Sequence, residues 1–435
     1  MIDQLLKATQ EEDWFKASTL LYKHWCLTCP TAYPSNVDQP WENQVDDSTI
    51  SKDLLYPLAA MFCCEDNCTE SEKKIVSLKK LSELTGIDTT NRRPGQICGR
   101  VFKNGEPNYT CNYFLYLQEC ATDGTCVLCR ECFINSPHTK HKYKMHTSLG
   151  CGYCDCGDPE AWSRDFACSL HSCSSSSEEQ AKNIVPGASS LPIELETRAY
   201  NLTVIACRFI VNLLCWDEDR GSSMFSGDMF GEEDQFQTIL FNDETHTYDA
   251  VIRALEIAVH CTNNQAMRLA TIVDREGRSI KDSQGLQQAY QKSGPLEVKV
   301  FRSSLVSYQQ FGVRLLNWLS LQAQEFSPMS LILGDVLLYE CPDESCTTTN
   351  FVPSEDRAAL QIASEKLWKA ARSGFHQALM CSVLMNLRQK QEFGRVFVRN
   401  YVNLFNDFIE DDHEHSVSIV SMAVQVFTVP TCSQL

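Results

Sequence analysis

Apolar residues in the first part of the chain recur at three- and four-residue intervals, which is the spacing of one helix face. This pattern predicts a helical N-terminal region over residues 1–95. A stretch with apolar residues on most faces predicts a further helix over residues 194–216. Residues 304–435 also have helical patterning, and we expect this last region to be truncated. Helices therefore occupy both ends of the predicted molecule.

Residues 236–303 combine strand and helix patterns within a short stretch. Strands there are apolar and closed by turn formers, and Thr247 is a good helix-capping residue. The elements expected in order are a strand at 236–241, a helix after Thr247, a short helix from Asn263, residues 270–273 leading into a turn at 274–277, a helix at 283–292 and a strand at 296–301. Together they predict one small α+β domain.

Residues 96–173 have little hydrophobic periodicity and many turn-forming residues. Such a segment is typical of a small domain that is held by metal ions instead of a large apolar core. Residues 174–235 begin with a serine run and end with an acidic, glycine-bearing stretch, which indicates a linker with a helix and an acidic loop. The predicted fold class is multidomain α+β, with a zinc-stapled domain, an α+β domain and helical terminal regions.

The composition restricts the classes of binding partner that this molecule can have. At 435 residues the chain is long enough for two or three domains, and its net charge of −18 argues against a nucleic-acid partner and favours cationic ligands. The N-terminus lacks the basic segment of a signal peptide, and the most apolar run is too short to span a bilayer. We therefore expect no membrane partner and a cytoplasmic or nuclear location. In those compartments cysteines are mainly thiolate ligands or buried thiols.

Eleven of the 23 cysteines and four of the ten histidines lie between Cys98 and Cys173. Thiolate and imidazole groups spaced by one or two residues can reach one tetrahedral Zn²⁺ without straining the chain. Four such pairs occur in this segment: Cys129 with Cys132, His138 with His141, Cys154 with Cys156, and Cys168 with His171. The pair Cys26 and Cys29 has no partner pair nearby, so we interpret these two as structural thiols. The segment therefore predicts zinc binding.

The number of candidate ligands limits the number of ions. Setting aside Cys126, His146, Cys151 and Cys173, eleven candidates remain. They are Cys98, Cys111, Cys120, Cys129, Cys132, His138, His141, Cys154, Cys156, Cys168 and His171. Closed structural zinc sites need four ligands each. Eleven ligands therefore make two full sites with three left over, or three sites if one thiolate bridges two ions. The pair Cys129 and Cys132 is the natural source of a bridge.

Four strings in this segment carry a family resemblance. They are CGRVF at 98–102, TCVLC at 125–129, HKYKMH at 141–146 and CDCGD at 154–158. The segment resembles the UBR box, the zinc-binding domain of the N-recognin E3 ubiquitin ligases. By this resemblance three zinc ions are held by Cys111, Cys120, His138 and His141, by Cys98, Cys129, Cys132 and Cys154, and by Cys132, Cys156, Cys168 and His171. The family has two residues between its first cysteine pair, whereas eight residues, 112–119, lie between Cys111 and Cys120.

Three aspartates, Asp123, Asp155 and Asp158, stand beside these ligands. Acidic residues are common in turns, so solvated turn residues and hydrogen-bond partners of the metal ligands are the ordinary interpretation. The resemblance instead implies an acidic pocket for an N-terminal Arg, Lys or His of a degron peptide, where carboxylates pair with the α-ammonium and the cationic side chain. By resemblance the pocket is also lined by Phe102, Thr125 and Tyr153.

A second resemblance covers the α+β domain. The pair Asn242-Asp243 after a strand resembles the peptide-binding position of the adaptor ClpS and of its counterpart in N-recognins. There the pair holds the α-ammonium, and an apolar pocket takes a bulky hydrophobic N-terminal residue. Asp274 stands where the bacterial adaptor has a histidine. Taken alone, Asn242-Asp243 is an ordinary turn.

The resemblance implies substrate recognition in the N-degron pathway. Family ligases carry a RING-type domain far downstream, so we expect this chain to lack ubiquitin transfer of its own and to meet a ubiquitin-conjugating enzyme only through a full-length ligase. A zinc-dependent hydrolase is the first alternative, although a catalytic zinc needs an open coordination position and a nearby base. A zinc-finger scaffold that binds nucleic acid instead of degrons is the second, and the acidic charge disfavours it.

Overall fold

The structure is a computed structural model. It describes residues 1–33, 46–64, 78, 97–111, 114–115, 118–122, 124–149, 152–172, 191–214, 236–242, 246–276, 278–281, 298–338 and 367–411. Among these residues, no helix is long and apolar enough to cross a membrane.

The described residues 1–33 and 46–64 of the N-terminal region are mainly helical, as their periodicity predicts. Helices α1 (Ile2–Gln10) and α2 (Trp14–Ala32) are followed by the short α3 (Asp47–Thr49), which continues through a π-helical turn (Ile50–Leu55) into α4 (Tyr56–Cys63). The Asp13 side chain accepts a hydrogen bond from Lys16 N at 3.0 Å and so caps α2. Apolar side chains at helical spacing then bury one face of each long helix.

The second helical part packs against the first. It contains α6 (Ile193–Leu214), α9 (Ser303–Glu325), α10 (Ser327–Leu338), α11 (Lys369–Cys381), a 3₁₀ turn (Val383–Met385) and α12 (Leu387–Asp411). Trp25 lies at the centre of the shared core, with ring centroids 4.6 Å from Phe209 and 5.3 Å from Phe311. One continuous hydrophobic core therefore joins the two ends of the chain.

The cysteine-rich segment folds around a small antiparallel sheet. Strand β1 (Asn104–Cys111) lies between β4 (Leu128–Cys129) and β5 (Tyr143–Leu149), and the pair β2 (Phe114–Leu115) and β3 (Gln118–Glu119) forms a separate hairpin. A helix α5 (Arg130–Ile134) and a 3₁₀ turn (Pro137–Lys140) follow β4. Eight of the fourteen buried residues in the core of this segment are cysteines, which fits a domain held by metal.

The α+β domain has a three-stranded antiparallel sheet in the order β7-β6-β8. Its elements are β6 (Phe236–Phe241), α7 (Tyr248–Val259), α8 (Asn263–Glu276), β7 (Arg278–Lys281) and β8 (Val298–Arg302). The Thr247 hydroxyl accepts a hydrogen bond from Ala250 N at 3.3 Å, so the predicted cap is confirmed. Leu240, Leu255, Ala266 and Val273 belong to the separate small core of this domain.

Two predictions in this domain were wrong in their boundaries. Residues 270–273 do not lead out of the helix, because α8 continues to Glu276, and Ala270 and Val273 supply its buried face. The turn predicted at 274–277 is therefore wrong for Asp274 to Glu276, which are helical, and Gly277 lies outside the described residues. The last strand is described over 298–302, one residue past the predicted end at 301, and residues 296–297 lie outside the described residues. The local sequence could not distinguish a helical from a non-helical apolar run of this length.

The predicted fold class, multidomain α+β, is confirmed, as are the strand at 236–241 and the long helix near 194–216, observed at 193–214. Three further predictions lie outside the described residues. They are the serine-rich part of the linker at 174–190, the acidic loop at 217–234 and the helix at 283–292.

Candidate metal centre and peptide pocket

The first candidate ligand group contains Cys111, Cys120, His138 and His141, whose ligand atoms all lie within 4.8 Å of one another. His141 Nδ1 lies 3.5 Å from Cys111 Sγ and 3.4 Å from Cys120 Sγ. Cys111 is the last residue of β1, and the eight-residue insert leaves it through β2 and returns through β3 to Cys120. The described residues of the insert pair as antiparallel strands, and Cys111 and Cys120 on either side of it belong to the same ligand group.

His138 has the hydrogen bonds of a metal-ligating imidazole. Its Nε2 lies 3.1 Å from the carbonyl oxygen of Asp165, while its buried Nδ1 has no hydrogen-bond partner. Burial lowers the pKa of His138, which favours the neutral ring that a metal ligand requires. A carbonyl on one ring nitrogen commonly orients the other nitrogen toward a metal. The unpartnered Nδ1 is therefore the atom that would bind the ion.

The second group contains Cys98, Cys129, Cys132 and Cys154. Cys129 precedes α5, and its sulfur accepts a hydrogen bond from Cys132 N at 3.4 Å, while the Cys154 sulfur accepts one from Cys129 N at 3.2 Å. Contact with Cys132, and then with Cys154 and Cys98, holds the pKa of Cys129 well below its usual range. Sulfur atoms that accept backbone N–H groups are stabilised as thiolates, which is the form that binds zinc.

The third group contains Cys132, Cys156, Cys168 and His171. His171 Nδ1 lies 3.7, 3.5 and 3.1 Å from the sulfur atoms of Cys132, Cys156 and Cys168, respectively. The Cys156 sulfur also accepts a hydrogen bond from Cys168 N at 3.2 Å. All four residues are buried. Cys132 therefore belongs to both the second and the third group, as the three-site alternative with one bridging thiolate predicts.

These distances fit zinc. With Zn–S of about 2.3 Å and Zn–N of about 2.0 Å, a tetrahedral ion separates sulfur from nitrogen by about 3.5 Å. Four of the five sulfur–nitrogen distances given above lie within 0.2 Å of that value. Each group supplies four sulfur or nitrogen donors, so none of the three described groups has the three-ligand, open form of a catalytic zinc site.

Other cysteines in the described part of the chain have a different character. Burial raises the pKa of the Cys26, Cys207 and Cys381 thiols to about 12, so they remain protonated apolar side chains. Cys29 is also buried, and its pKa is raised well above its usual value. The interpretation of Cys26 and Cys29 as structural thiols agrees with this burial.

Asp155 and Asp158 lie on one tight turn between metal ligands. Asp155 Oδ2 accepts a hydrogen bond from Val127 N at 2.7 Å, and Asp155 N donates to Val127 O at 2.9 Å. The Asp155 carbonyl accepts from Asp158 N at 3.1 Å, and Asp158 Oδ1 accepts from Glu160 N at 2.8 Å. Both side chains are half-buried. The turn therefore carries two carboxylates whose positions are set by backbone hydrogen bonds.

The remaining residues of the predicted pocket lie near this turn or outside the described residues. Phe102 is buried, and its backbone N–H donates to Gly152 O at 3.0 Å, while Val101 and Tyr153 form an isolated antiparallel bridge. Thr125 is exposed and lies two residues before Val127. Asp123 lies outside the described residues.

In the α+β domain, Asn242 directly follows the last residue of β6 and is half-buried. Asp243 lies outside the described residues, so the structure places only one member of the pair. Asp274 is exposed on the last turn of α8, and its carbonyl oxygen accepts a hydrogen bond from Lys369 Nζ at 2.9 Å.

One residue that the sequence reasoning did not identify contacts both the metal centre and the carboxylate turn. Trp162 is 2 % exposed, its indole Nε1 donates to Asp155 O at 3.0 Å, and its ring centroid lies 4.8 Å from that of His138. Tryptophan is seldom fully buried without a partner for its N–H. The sequence did contain one indication of this role, because Trp162 follows Asp155, which lies between two metal ligands, by only seven residues.

Three stretches of the chain match known protein families. Residues 97–171 match the zinc finger in N-recognin, or UBR box. Residues 231–299 match the ATP-dependent Clp protease adaptor protein ClpS, and residues 360–435 match the UBR1/2/3-like ARM repeat domain.

The full chain is similar to curated E3 ubiquitin-protein ligases. It is 37 % identical to human UBR2 over 450 residues, 32 % identical to ubr-1 of Caenorhabditis elegans over 544 residues and 30 % identical to human UBR1 over 442 residues. These alignments cover 98–100 % of the chain and 23–25 % of the relatives. The chain thus spans about a quarter of the length of the relatives it matches.

Proposed function

Because this chain belongs to the N-recognin family of E3 ubiquitin ligases, we propose that it recognises substrates of the N-degron pathway by their first residue. The cysteine-rich domain binds N-terminal Arg, Lys or His. The α+β domain binds a bulky hydrophobic N-terminal residue. Recognition here precedes ubiquitination and degradation by the complete ligase.

The observation that carries this proposal is the turn with Asp155 and Asp158. Two half-buried carboxylates three residues apart, each accepting a backbone N–H group, are fixed before a ligand arrives. An N-terminal arginine presents an α-ammonium and a guanidinium, and charge-assisted hydrogen bonds to carboxylates are about twice as strong as neutral ones. Pre-positioned carboxylates avoid the entropy cost of ordering on binding. The turn is therefore suited to a dicationic peptide end.

Three zinc ions, with Cys132 bridging two of them, would hold this scaffold. The ligands are the three described groups, and His138 Nδ1 and the hydrogen-bonded sulfur atoms are the features that support them. A bound structural zinc supplies folding free energy to a domain whose apolar core is small. Asp155 lies between the ligands Cys154 and Cys156, so the same ions that fold the domain also fix the carboxylate turn.

Asn242 supports the second binding site. Its side-chain amide lies at the end of β6, at the edge of a domain that matches ClpS over residues 231–299. We assign Asn242 and Asp243 to the α-ammonium of a peptide with a hydrophobic first residue. Asp274 lies at the exposed end of α8, so hydrophobic contacts, and not a histidine, would select the side chain there.

Ubiquitin transfer belongs to the complete ligase in this proposal. The chain would meet a ubiquitin-conjugating enzyme only within a protein of the length of its relatives, about four times its own. A cytoplasmic and nuclear location is consistent with buried thiols and with cysteines grouped as metal ligands.

The experiment is a binding panel with fluorescent peptides that differ only at their first residue. We expect saturable binding of Arg and Phe peptides and none of a Gly peptide. Excess unlabelled Phe peptide should leave the Arg peptide bound, because two separate domains hold them. Equal binding of the Arg and Gly peptides would contradict the function of the first domain, and mutual displacement would contradict the assignment of two sites.

A further inference from the structure

Resting on the proposed degron site, we propose that Trp162 is a positioning residue that makes peptide affinity depend on the first zinc group. Trp162 has no place in the ligand set or in the predicted pocket. It nevertheless contacts one member of each. The physical basis is the hydrogen bonding of one carbonyl oxygen.

The carbonyl oxygen of Asp155 accepts two hydrogen bonds. One comes from Asp158 N at 3.1 Å and closes the turn, and the other comes from the indole Nε1 of Trp162 at 3.0 Å. A carbonyl oxygen has two lone pairs, so these donors satisfy it fully. Together with the two bonds to Val127, they fix the peptide plane that follows Asp155. The direction in which both carboxylates of the turn project therefore depends on Trp162.

The other side of Trp162 faces the first zinc group. Its ring lies 4.8 Å from the ring of His138 at an interplanar angle of 38°. Its backbone runs antiparallel to the segment that carries Cys120, with a bridge to Ala121 and a hydrogen bond from Ser163 N to Cys120 O at 2.8 Å. Trp162 is thus next to two ligands of the first group, to His138 through its ring and to Cys120 through its backbone. We therefore expect that loss of the zinc ion from the first group would weaken the contacts that hold the Trp162 indole in place.

The side chain is also well held between the two sites. Trp162 is 2 % exposed and belongs to the same small core as Phe102, Cys120 and Cys154. Side chains in such cores occupy one rotamer because neighbouring atoms leave no room for another. A displacement of His138 therefore displaces the Trp162 indole, and with it the hydrogen bond to Asp155 O.

Trp162→Phe tests the proposal, because phenylalanine keeps an aromatic ring in the core beside His138 and removes the indole N–H together with the five-membered ring that carries it. We expect the affinity for an N-terminal Arg peptide to fall about 3- to 10-fold, the effect of one neutral hydrogen bond. The zinc content should not change. The matched control is Trp25→Phe, which removes a buried indole bond of 2.9 Å to Leu54 O in the N-terminal helices. It should leave peptide affinity unchanged.

A double-mutant cycle shows whether the effect passes through Asp155. In an Asp155→Asn background, Trp162→Phe should lower affinity by a smaller factor than in the wild type, because one of the two carboxylates that Trp162 positions is already gone. Additive losses would overturn the proposal. A His141→Ala variant should likewise weaken Arg-peptide binding in the wild-type background and weaken it less once Trp162 is phenylalanine.

Amide hydrogen exchange provides a readout that needs no peptide. The exchange rate of Asp158 N–H, which bonds to Asp155 O, should rise in Trp162→Phe and stay unchanged in Trp25→Phe. Unchanged exchange together with unchanged affinity would overturn the proposal. If the wild-type chain bound no Arg peptide, the proposed function would be wrong, and the exchange rates would still show whether Trp162 holds the turn.

Discussion

The guanidinium of Arg278 lies 3.4 Å above the ring centroid of Trp368, with only 7 % of Arg278 exposed. Arg278 begins β7 of the α+β domain, whereas Trp368 immediately precedes α11 of the helical part. The same guanidinium donates from Nη1 to Gln309 Oε1 at 2.7 Å, and Gln309 Nε2 donates to Leu213 O at 3.0 Å. Arg278 therefore links the α+β domain to α9 and to the residue that precedes α11.

Gln309→Leu should destabilise this junction. It removes a hydrogen bond to a buried cation and another to a backbone carbonyl, and we expect the free energy of unfolding to fall by about 1–3 kcal/mol. Urea denaturation followed by circular dichroism measures it. The control is Arg314→Gln, which breaks an exposed pair with Asp47 and should cost less than about 1 kcal/mol. Equal losses in both variants would contradict a structural role of the junction.

Asp155→Asn and Asp158→Asn should each weaken binding of an N-terminal Arg peptide about 10- to 150-fold, the range for a hydrogen bond to a charged group. Asparagine keeps an acceptor for Val127 N or Glu160 N, so the turn should remain folded. Asp165→Asn is the matched control in the same domain, because its side chain is exposed. Isothermal titration with the three variants measures the effect. A loss in Asp165→Asn as large as the others would indicate a nonspecific charge effect.

Zinc stoichiometry tests the shared thiolate. We expect three ions per chain in the wild type, two in Cys120→Ser and one in Cys132→Ser, because Cys132 belongs to two groups. Mass spectrometry of the metal content measures these values. Cys126→Ser, a buried cysteine outside the three groups, should retain three ions. If Cys132→Ser and Cys120→Ser lost the same number of ions, the bridge would not exist.

His376 makes the helical core sensitive to acid. Its ring is buried, and burial lowers its pKa from 6.5 to about 4. Between those two values the unfolded chain binds a proton that the folded chain does not, so stability falls as pH decreases, by about 1.4 kcal/mol per pH unit. The dependence is absent above about pH 6.5.

His376→Leu should remove this contribution. The difference in unfolding free energy between variant and wild type is expected to change by about 3 kcal/mol in favour of the variant from pH 7 to pH 4. Urea denaturation followed by circular dichroism at several pH values measures that difference. Protonation of the metal ligands affects both proteins equally, so it does not contribute to the difference between them. A pH-independent difference would show that His376 titrates normally.

Local chemistry explains why much of the metal centre could be predicted. Ligands such as Cys129 and Cys132 are close in sequence, so spacing alone indicates them, and eleven ligands allow three sites if one thiolate is shared. The structure groups the eleven candidates into the same three sets that the family resemblance implies. Thr247 was likewise identifiable, because a helix cap depends only on the residues that follow it.

The contacts that join the parts of the molecule could not be predicted. Trp162, Arg278 and Met385 contact residues in other segments of the fold, and hydrophobic periodicity does not reveal such contacts. Met385, for example, lies so close to Gly99 that a side chain at Gly99 would overlap its sulfur, and Gly99 also has a φ of +59°. The hairpin of the 112–119 insert was also missed, because two-residue strands are too short to show alternation.

The most direct test of the account compares an N-terminal Arg peptide with the same peptide acetylated at its α-amino group. Acetylation removes one of the two charges and leaves a carboxylate of the Asp155–Asp158 turn without its partner. We predict that the free peptide binds and that acetylation lowers its affinity at least about 10-fold. Equal dissociation constants for the two peptides would contradict degron recognition by this domain.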